Sequence, residues 1–491
     1  MNILDLLKRQ NENDKIAIKK GEQSLTYKQW NKYSKLVAEK IYEKLFPECR
    51  GIAIFLPNSI EYAISYFSIL YLNKVVVPIG IQAKKNEILT TVEYCEVDLI
   101  MTNKQYYDFL CEVFQEYSYK VYVYNIENNS MKTINAQGKF VPKTSELLNN
   151  GDENDVALML HTSGTTSNPK RVMLTHKNLI YNIEANIESL KLEDKDNVLI
   201  ALPMFFGYCN TAQFLTHIYL GARMTILDGM FLPKKFFQIV EQEKITNFTG
   251  VPSMLLMLLE YKYSENYDYS SLKFICFGGG KMPKNKLEML IKRYQTIGFV
   301  HTYGQTECSP RVTALLPEFS LSKIGSVGKT ISGVEIKIVN DKGEVKNEEI
   351  GEILVKGPNV MKGYFKHQKA TNEAIIDNWI HTGDLGYIDS DGFLYLTGRI
   401  KNVIISGGIN IYPEEIEEFL LKQEGVKEVC VHGESDELLG EIPVAKIVTN
   451  GELCESVIKD ICREKLASYK VPRKIIIVEK LEKTYNGKIK R

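Results

Sequence analysis

Short apolar segments rich in β-branched residues alternate with segments of helical periodicity along most of the chain. Residues 52–56 form an apolar run that ends at a proline, which is typical of a buried strand. Ser59 is a suitable N-cap for the following segment, in which Ala63, Phe67 and Leu70 recur at helical spacing. This part of the chain therefore predicts a strand followed directly by a helix.

The same succession of strand and helix recurs further along the chain. More strand patterns lie at residues 75–77, 198–202, 223–227 and 274–277. Strands and helices joined by short connections favour a mainly parallel sheet covered by helices. From about residue 327 the pattern changes to short strands separated by turns that contain Asp and Gly, at residues 334–339, 351–356 and 392–396. This change predicts a small antiparallel, β-barrel-like region.

A domain boundary is predicted near residues 398–401. Beyond it, about 90 residues form an α+β pattern of their own, with a strand at residues 403–405 and a helix over residues 414–422 that Pro413 begins. The predicted fold is α/β and multidomain, with a large N-terminal domain of helix-covered, mainly parallel sheets. Its predicted bounds are residues 1–398 for the N-terminal domain, 399–401 for a hinge and 402–491 for a small α+β C-terminal domain.

Composition narrows the class of protein. The 491 residues are 44% hydrophobic and 25% charged, which is ordinary for a globular protein and excludes disordered, collagen-like and coiled-coil chains. Lys plus Arg and Asp plus Glu each number 61, so no net field recruits nucleic acid or an anionic membrane, and we expect a small-molecule partner. The nine cysteines include no Cys-x-x-Cys pair, which favours free thiols in a reducing compartment.

No segment predicts export or insertion into a membrane. The N-terminal apolar run is too short for a signal peptide and contains an acidic residue. The longest apolar stretch, residues 63–79, is interrupted by Asn73, Lys74 and Pro78. We therefore expect a cytoplasmic protein without stable membrane insertion.

One segment carries the strongest chemical signal. Residues 162–166 read Thr-Ser-Gly-Thr-Thr after a strand pattern at residues 156–160, and Lys170 lies just beyond. Hydroxyl groups, backbone amides and one mobile ammonium supply the donors and the charge that a polyphosphate requires. The Walker pattern is absent here, because it places glycine before the lysine and Ser or Thr after it. By itself this segment is compatible both with phosphate binding and with an ordinary turn.

Other motifs in the same chain favour phosphate binding by this segment. The segment resembles the nucleotide-phosphate loop of the adenylate-forming superfamily, which includes acyl- and aryl-CoA synthetases, stand-alone adenylation domains and firefly-type luciferases. Four further segments resemble the family's other motifs in the family's order: Tyr-Gly-Gln-Thr-Glu at residues 303–307, Thr-Gly-Asp at 382–384, Gly-Arg-Ile-Lys at 398–401 and Asn-Gly-Lys-Ile at 486–489. Five such motifs in order over about 330 residues are not a plausible coincidence, and the general resemblance covers nearly the whole chain.

The resemblance implies a nucleotide site built from these motifs. Tyr303 is the implied adenine-side aromatic residue, Asp384 accepts from both ribose hydroxyls, and Arg399 lies near the ribose. The implied nucleotide contacts are Thr162, Ser163, Gly164, Thr165, Thr166, Lys170, Gly278, Gly279, Gly280, Tyr303, Thr306, Asp384, Arg399 and Lys488.

The resemblance also implies catalytic residues and a metal. Lys488 is the implied catalytic lysine, together with the phosphate-binding Thr306 and with Glu307, which is associated with magnesium alongside Thr166. These residues suit activation of a carboxylic acid. A carboxylate is a poor electrophile, but its oxygen can attack the α-phosphate of ATP, and the acyl-adenylate that forms has AMP as a leaving group. Both reactants are anions, so the site must supply positive charge and hydrogen-bond donors. Taken singly, Glu307 is equally well a structural ion-pair residue, and Asp384 a turn residue.

Two positions depart from the family pattern. The family's phosphate loop usually has glycine at the positions of Ser167 and Arg171. Because glycine tolerates unusual backbone angles, their loss predicts a stiffer loop with weaker or altered handling of ATP.

The acid is expected to bind near residues 201–210. The implied substrate contacts are Phe206, Gly207, Tyr208, Gly278 and Gly304. Amino-acid-activating relatives usually have an aspartate here, yet residues 197–227 contain no acidic residue, and a desolvated ammonium without a partner costs several kcal/mol. We therefore expect an aryl or medium-length acyl acid, although Phe205 is equally well a core residue.

The second half-reaction requires a thiol. The resemblance implies a mobile C-terminal domain that turns about Lys401 and presents Gly407 and Gly408 to a pantetheine channel. Free CoA and the arm of a carrier protein end in the same pantetheine group, so both stay open as acceptors. Two other functions also stay open: adenylation of an amino or imino acid, and a non-catalytic ligand sensor that keeps the fold.

Overall fold

The computed structural model describes residues 1–45, 51–115, 117–136, 138–139, 151–161, 170–340, 343–345, 348–407, 409–451, 453–483 and 489. Several predicted site residues lie outside these ranges, namely Thr162, Ser163, Gly164, Thr165, Thr166, Ser167, Gly408 and Lys488.

Two large sheets form the N-terminal domain. The strands of the first follow the spatial order Lys329–Thr330, Arg311–Leu315, Gly298–Gly304, Phe274–Phe277, Asn247–Gly250, Asn197–Ile200, Arg223–Ile226, Ile16–Lys20 and Gln23–Thr26. The strands of the second follow the order Gly363–Tyr364, Arg171–Thr175, Val156–His161, Val75–Pro78, Gly51–Ile54, Val97–Thr102, Val121–Asn125 and Ser130–Ile134. Central neighbours are parallel and the edges antiparallel, which confirms the predicted fold class.

Helices cover these sheets. In the described ranges the α-helices are Ile3–Lys8, Tyr27–Leu45, Ile60–Tyr71, Lys85–Tyr94, Lys104–Val113, His176–Leu190, Gly207–Cys209, Thr216–Leu220, Pro233–Glu243, Pro252–Glu260, Lys284–Arg293, Gln368–Ala374, Pro413–Leu420 and Glu455–Lys465. Ser59 caps Ile60–Tyr71 as predicted, since its side chain accepts from the amide of Tyr62 at 3.1 Å. The main core joins both large sheets around Trp30, Phe67 and Phe214. Of the helices in the described ranges, none is both long and apolar enough to cross a bilayer.

The antiparallel region was also predicted correctly. Its strands run in the order Gly343–Glu344, Glu335–Asn340, Gly351–Lys356, Trp379–Ile388 and Ile375–Ile376, and Leu394–Arg399 pairs with Trp379–Ile388. The strand expected at residues 392–396 begins two residues later. Gly392 still belongs to the preceding turn, where its amide donates to the carbonyl of Asp389.

The C-terminal domain has a sheet and a core of its own. Its strands run in the order Ile409–Ile411, Ile404–Ser406, Gly440–Thr449 and Val426–Asp436, with Lys474–Ile477 parallel to Gly440–Thr449. Ile411, Ile416, Val431 and Ile447 lie in its core. The predicted helix starts at Pro413 and ends at Leu420, and a short 3-10 helix, Ile400–Asn402, precedes the domain. Residues 398–401 stay a predicted boundary.

Candidate active site

The side chains of Tyr303 and Arg399, which belong to two other motifs, both contact Asp384. Trp379–Ile388 and Leu394–Arg399 are antiparallel neighbours whose register places Asp384 opposite Arg399. Arg399 Nε lies 2.7 Å from Asp384 Oδ1, and the hydroxyl of Tyr303 donates to Asp384 Oδ2 at 2.8 Å. Burial raises the pKa of Tyr303 well above its usual value, so its hydroxyl remains a donor. Tyr303 is only 7% exposed and belongs to the core.

Glu307 lies beside this group. It follows the strand Gly298–Gly304 in the 3-10 helix Thr306–Cys308, and its Oε1 accepts from the hydroxyl of Tyr364 at 2.9 Å. Burial raises the pKa of Glu307, while the nearby Arg399 lowers it and Asp384 raises it further. The structure therefore brings Glu307, Asp384 and Arg399 together, although 92 residues separate the first and last in sequence.

The ends of the phosphate segment reach the same place. His161 and Arg171 are register partners in the antiparallel strands Val156–His161 and Arg171–Thr175, so the two strand ends that flank the phosphate segment lie side by side. Lys170 Nζ lies 4.6 Å from the centre of the Tyr364 ring, whose hydroxyl holds Glu307. Lys170 and Glu307 thus both contact Tyr364, the first at its ring and the second at its hydroxyl.

Arg171, which stands where the family usually has glycine, has a hydrogen-bond partner in the structure. Arg171 is buried in a regular strand, and its Nη2 donates to Thr91 Oγ1 at 2.5 Å. Thr91 belongs to the helix Lys85–Tyr94. The side chain therefore ties the strand that follows the phosphate segment to a neighbouring helix.

Two predicted substrate glycines lie where no side chain fits. A Cβ on Gly304 would lie 1.7 Å from the carbonyl oxygen of Pro310. A Cβ on Gly278 would lie 2.6 Å from the carbonyl oxygen of Thr302. Gly278 is buried, whereas Gly304, Gly279 and Gly280 are exposed.

The predicted acyl segment adjoins these glycines. The hydroxyl groups of Tyr208 and Thr302 lie 2.7 Å apart, and Thr302 contacts Gly278. The rings of Phe205 and Phe206 are 4.4 Å apart, and both residues are partly exposed. Gly207 begins a helix that continues as the π-helix Asn210–Leu215, a geometry that is frequent at functional sites.

Contacts also join the two domains at this face. Lys281 Nζ donates to the carbonyl of Glu414 at 2.8 Å and lies 3.4 Å from Glu418 Oε2. Lys284 Nζ lies 3.7 Å from Glu418 Oε1. The predicted hinge residue Lys401 is exposed, and the amide of Gly407 donates to the carbonyl of Leu439 within the C-terminal domain.

Sequence reasoning assigned no role to Tyr364, Thr302 or Arg311. Tyr364 and Thr302 carry no local signal, because their importance comes from contacts with residues distant in sequence. Arg311 does carry one, since it is a charged residue at the start of the otherwise uncharged strand Arg311–Leu315.

The described residues fit a magnesium ion that arrives with a nucleotide. They contain no group of three His, Cys, Asp or Glu side chains that could hold a resident metal. Mg²⁺ at a nucleotide site typically uses one or two carboxylates together with phosphate oxygens and waters. Glu307 offers such a carboxylate at a partly buried position.

Comparison with known proteins agrees with this geometry. The family model for the AMP-binding enzyme matches residues 7–365, and that for the AMP-binding enzyme C-terminal domain matches residues 415–488. The chain is 33% identical, over 479 residues, to the 2-succinylbenzoate--CoA ligase of Bacillus cytotoxicus, which covers 97% of this chain and 95% of that protein.

Two solved structures are similar over the whole fold. One is the o-succinylbenzoate CoA synthetase of Bacillus subtilis in complex with its acyl-adenylate intermediate, at a TM-score of 0.87 and 29% identity, covering 99% of this chain and 96% of that chain. The other is the same enzyme in complex with ATP and a magnesium ion, at a TM-score of 0.86 and 29% identity, covering 99% of this chain and 98% of that one.

Proposed function

This chain belongs to the AMP-binding enzyme family, and we propose that it activates an aryl carboxylic acid with ATP and transfers the acyl group to coenzyme A. The acid that we propose is 2-succinylbenzoate, the acid named for the relative that is 33% identical over 97% of this chain. The reaction makes the protein an AMP-forming acid–thiol ligase. Its free cysteines among the described residues favour a cytoplasmic location.

The first half-reaction joins two anions. A carboxylate oxygen of the acid attacks the α-phosphorus of ATP, a bond to pyrophosphate breaks, and an acyl-adenylate forms. Asp384 accepts hydrogen bonds from the ribose hydroxyls, and Arg399 and Tyr303 hold its carboxylate in position. The donors at residues 162–166 and the ammonium group of Lys488 stabilise the crowded phosphate charge.

Glu307 holds the magnesium ion in this proposal. When bound, the metal supplies Lewis-acid stabilisation of phosphate oxygens. Tyr364 orients the Glu307 carboxylate by its hydrogen bond, and the ammonium group of Lys170 lies over the ring of the same tyrosine.

In the second half-reaction the thiol sulfur of coenzyme A attacks the acyl carbon, AMP leaves, and the thiol proton passes to solvent. The C-terminal domain turns about Lys401 so that Gly407 and Gly408 line the thiol's path. The relative named as a CoA ligase favours free coenzyme A, and nothing comparable supports a carrier protein.

An aryl acid suits the residues around Tyr208. Phe205, Phe206 and Tyr208 are aromatic and partly exposed, and residues 197–227 contain no acid to pair with an amino acid's ammonium group. Amino-acid adenylation therefore has no electrostatic support at this site.

The observation that carries the proposal is the convergence of Glu307, Asp384 and Arg399 beside the ends of the phosphate segment. The test is ATP–pyrophosphate exchange with 2-succinylbenzoate, benzoate, hexanoate, alanine and proline. We expect 2-succinylbenzoate to give the fastest exchange and a CoA thioester on addition of CoA. Fastest exchange with alanine or proline would establish the amino-acid alternative, and no exchange with any acid would establish the non-catalytic sensor.

A further inference from the structure

Arg311 is a buried cation with no counter-ion among the residues that the structure describes. Its residue is 2% exposed at the start of the strand Arg311–Leu315. Among the described residues, no oxygen or nitrogen accepts a hydrogen bond from its Nε, Nη1 or Nη2, and the thiol of Cys276 is the one polar side chain that approaches the guanidinium as a hydrogen-bond partner. Every nitrogen of the guanidinium group is therefore out of contact with water and lacks an oxygen or nitrogen acceptor in the described chain.

Such an arrangement is costly. Guanidinium stays protonated in proteins, and burying an unpaired charge costs several kcal/mol even after relaxation. Buried charges are accordingly paired in most proteins. An arginine retained in this state indicates a partner that the described part of the chain does not supply.

The nearest titratable groups cannot be that partner. Burial raises the pKa of the Cys276 thiol, and Arg311 opposes this only in part. Burial likewise raises the pKa of Tyr208 far above neutrality despite the nearby Arg311. Both groups are neutral at physiological pH, so neither provides a negative charge.

The backbone of Arg311 is fixed by Asn182, and its side chain lies near the acyl segment. The amide of Arg311 donates to Asn182 Oδ1 at 3.3 Å, and Asn182 Nδ2 donates to the carbonyl of Arg311 at 2.8 Å. Its neighbour Tyr208 belongs to the predicted acyl segment, and the hydroxyl of Tyr208 contacts Thr302, which packs on Gly278. Arg311 is thus distinct from Arg399, which pairs with Asp384 on the nucleotide side.

We propose that Arg311 binds a second carboxylate of the acid substrate, the one that is not activated, so that the pocket selects dicarboxylic acids. The inference rests on the proposed function, from which it takes the reaction. It adds the residue that recognises the acid. A planar guanidinium matches a carboxylate with two parallel hydrogen bonds, and in a desolvated pocket this pair is strong and directional.

The chemistry of the proposed acid agrees with this role. 2-Succinylbenzoate has two carboxylates, and adenylation consumes the charge of only one. The other remains an anion through both half-reactions and needs a cation wherever it is desolvated. The described chain has such a cation ready at Arg311, and the neutral aromatic neighbours can contact the ring.

The test compares paired acids on wild type and variants. The pairs are 2-succinylbenzoate against 3-benzoylpropionate, which lacks the ring carboxylate, and against 2-butanoylbenzoate, which lacks the chain carboxylate. We expect wild type to prefer the dicarboxylic acid in kcat/KM of pyrophosphate exchange over the usable monocarboxylic analogue. Arg311→Met should reduce that preference about 30-fold or more, mainly through KM, because it removes a buried charged hydrogen-bond pair.

Two further variants sharpen the result. Arg311→Lys keeps the positive charge but loses the two parallel N–H donors of the guanidinium. Its preference for the dicarboxylic acid should therefore lie between that of wild type and that of Arg311→Met. Lys329→Met removes a cation from the exposed strand that pairs with Arg311–Leu315, and it should leave the preference unchanged. Thermal unfolding checks the fold: Arg311→Met should be at least as stable as wild type, because no described counter-ion is lost.

The outcomes separate the inference from the proposed function. If wild type uses 2-succinylbenzoate well and Arg311→Met keeps the full preference, the inference about Arg311 is overturned while the proposed function stands. If wild type prefers the monocarboxylic acid in each pair, recognition of a second carboxylate is overturned. If wild type ignores 2-succinylbenzoate but prefers adipate over hexanoate, and Arg311→Met loses that preference, Arg311 keeps its role and the proposed acid is wrong.

Discussion

Asp384 and Arg399 face each other across two antiparallel strands, and their side chains form an ion pair with 2.7 Å between Oδ1 and Nε. The hydroxyl of Tyr303 donates to the other carboxylate oxygen, Asp384 Oδ2, at 2.8 Å. The orientation of the carboxylate is therefore fixed before a nucleotide enters, and each oxygen retains a lone pair for a ribose hydroxyl. Such preorganisation lowers the entropic cost of binding.

Asp384→Asn should weaken ATP binding without unfolding the protein. The substitution preserves size but removes the charge that Arg399 and the ribose share. A hydrogen bond to a charged group contributes about 1.5–3 kcal/mol, so kcat/KM for ATP should fall about 10- to 100-fold in pyrophosphate exchange. Tyr303→Phe should have a smaller effect, because it removes one orienting bond. Asp391→Asn in the nearby turn is the control, and an unchanged KM for ATP in Asp384→Asn would contradict the ribose role.

Lys488→Ala should separate the two half-reactions. The ammonium group is proposed to stabilise the crowded phosphates during adenylate formation, so that step should slow by orders of magnitude. Thioester formation from supplied acyl-adenylate should be nearly intact, because it needs the other domain orientation. Both rates are measured by single-turnover assays. Equal loss of the two steps would refute the assignment of Lys488.

Glu418→Gln should shift the balance between the half-reactions. Burial raises the pKa of Glu418, but Lys281, Lys284 and Lys422 outweigh it and lower the pKa overall. The pairs with Lys281 and Lys284 join the two domains, so their loss should favour rotation. Exposed pairs contribute about 0–1 kcal/mol each, which predicts a several-fold slower adenylation relative to thioester formation.

The control for this variant is Glu373→Gln. Glu373 pairs with Lys369 on one helix of the N-terminal domain and joins no domains. Added salt should reproduce the effect of Glu418→Gln in wild type, because it screens the same pairs. A ratio of half-reaction rates that is insensitive to both salt and Glu418→Gln would remove these pairs from the conformational change.

Phe206→Ala should change which acids are activated. Its ring lies 4.4 Å from that of Phe205 and is partly exposed beside the predicted acyl segment. Removing the ring should lower kcat/KM for aryl acids about 10-fold or more relative to aliphatic acids, since the aromatic contact with the ring of the acid is lost. The measurement is pyrophosphate exchange over a panel of both classes. The same order of preference in the variant would take Phe206 out of the pocket wall.

His217 should make the folded state sensitive to acid. Burial lowers its pKa to about 4, its Nδ1 donates to the carbonyl of Gln213 at 2.7 Å, and Asn247 Nδ2 faces Nε2 at 3.3 Å. The unfolded chain takes up this proton near pH 6.5, whereas the folded protein resists until about pH 4. As the pH falls from about 6.5 to about 4, the contribution of His217 to the free energy of unfolding should therefore decrease by about 1.4 kcal/mol per pH unit.

Denaturant unfolding from about pH 7 to about pH 4.5 measures this slope. His176 and His301 are also buried, and burial lowers the pKa of each to about 4, so wild type should combine three such contributions. His217→Gln should reduce the slope by roughly one third. His367→Gln at an exposed position should leave it unchanged, and an unchanged slope in His217→Gln would contradict the buried neutral imidazole.

Much of the local structure was predictable because its causes are local. Ser59 caps a helix whose buried residues recur at the expected spacing, and Pro413 starts another. The strand Phe274–Phe277 has the predicted bounds, since a short apolar run ends at three glycines. The error at residues 392–396 arose where a turn residue, Gly392, was assigned to the strand. Hydrogen bonds within that turn decided the boundary.

By itself, the sequence determined the α/β class, the order of the motifs and the chemical character of Glu307, Asp384 and Arg399, because short-range patterns and side-chain chemistry depend on neighbouring residues. Only the tertiary structure decided that these three groups meet, that Arg171 reaches Thr91 and that Arg311 is buried with no counter-ion in the described ranges. Strand order and crossover connections bring together residues that are far apart along the chain. The environment of a charge depends on that packing, and no local pattern records it.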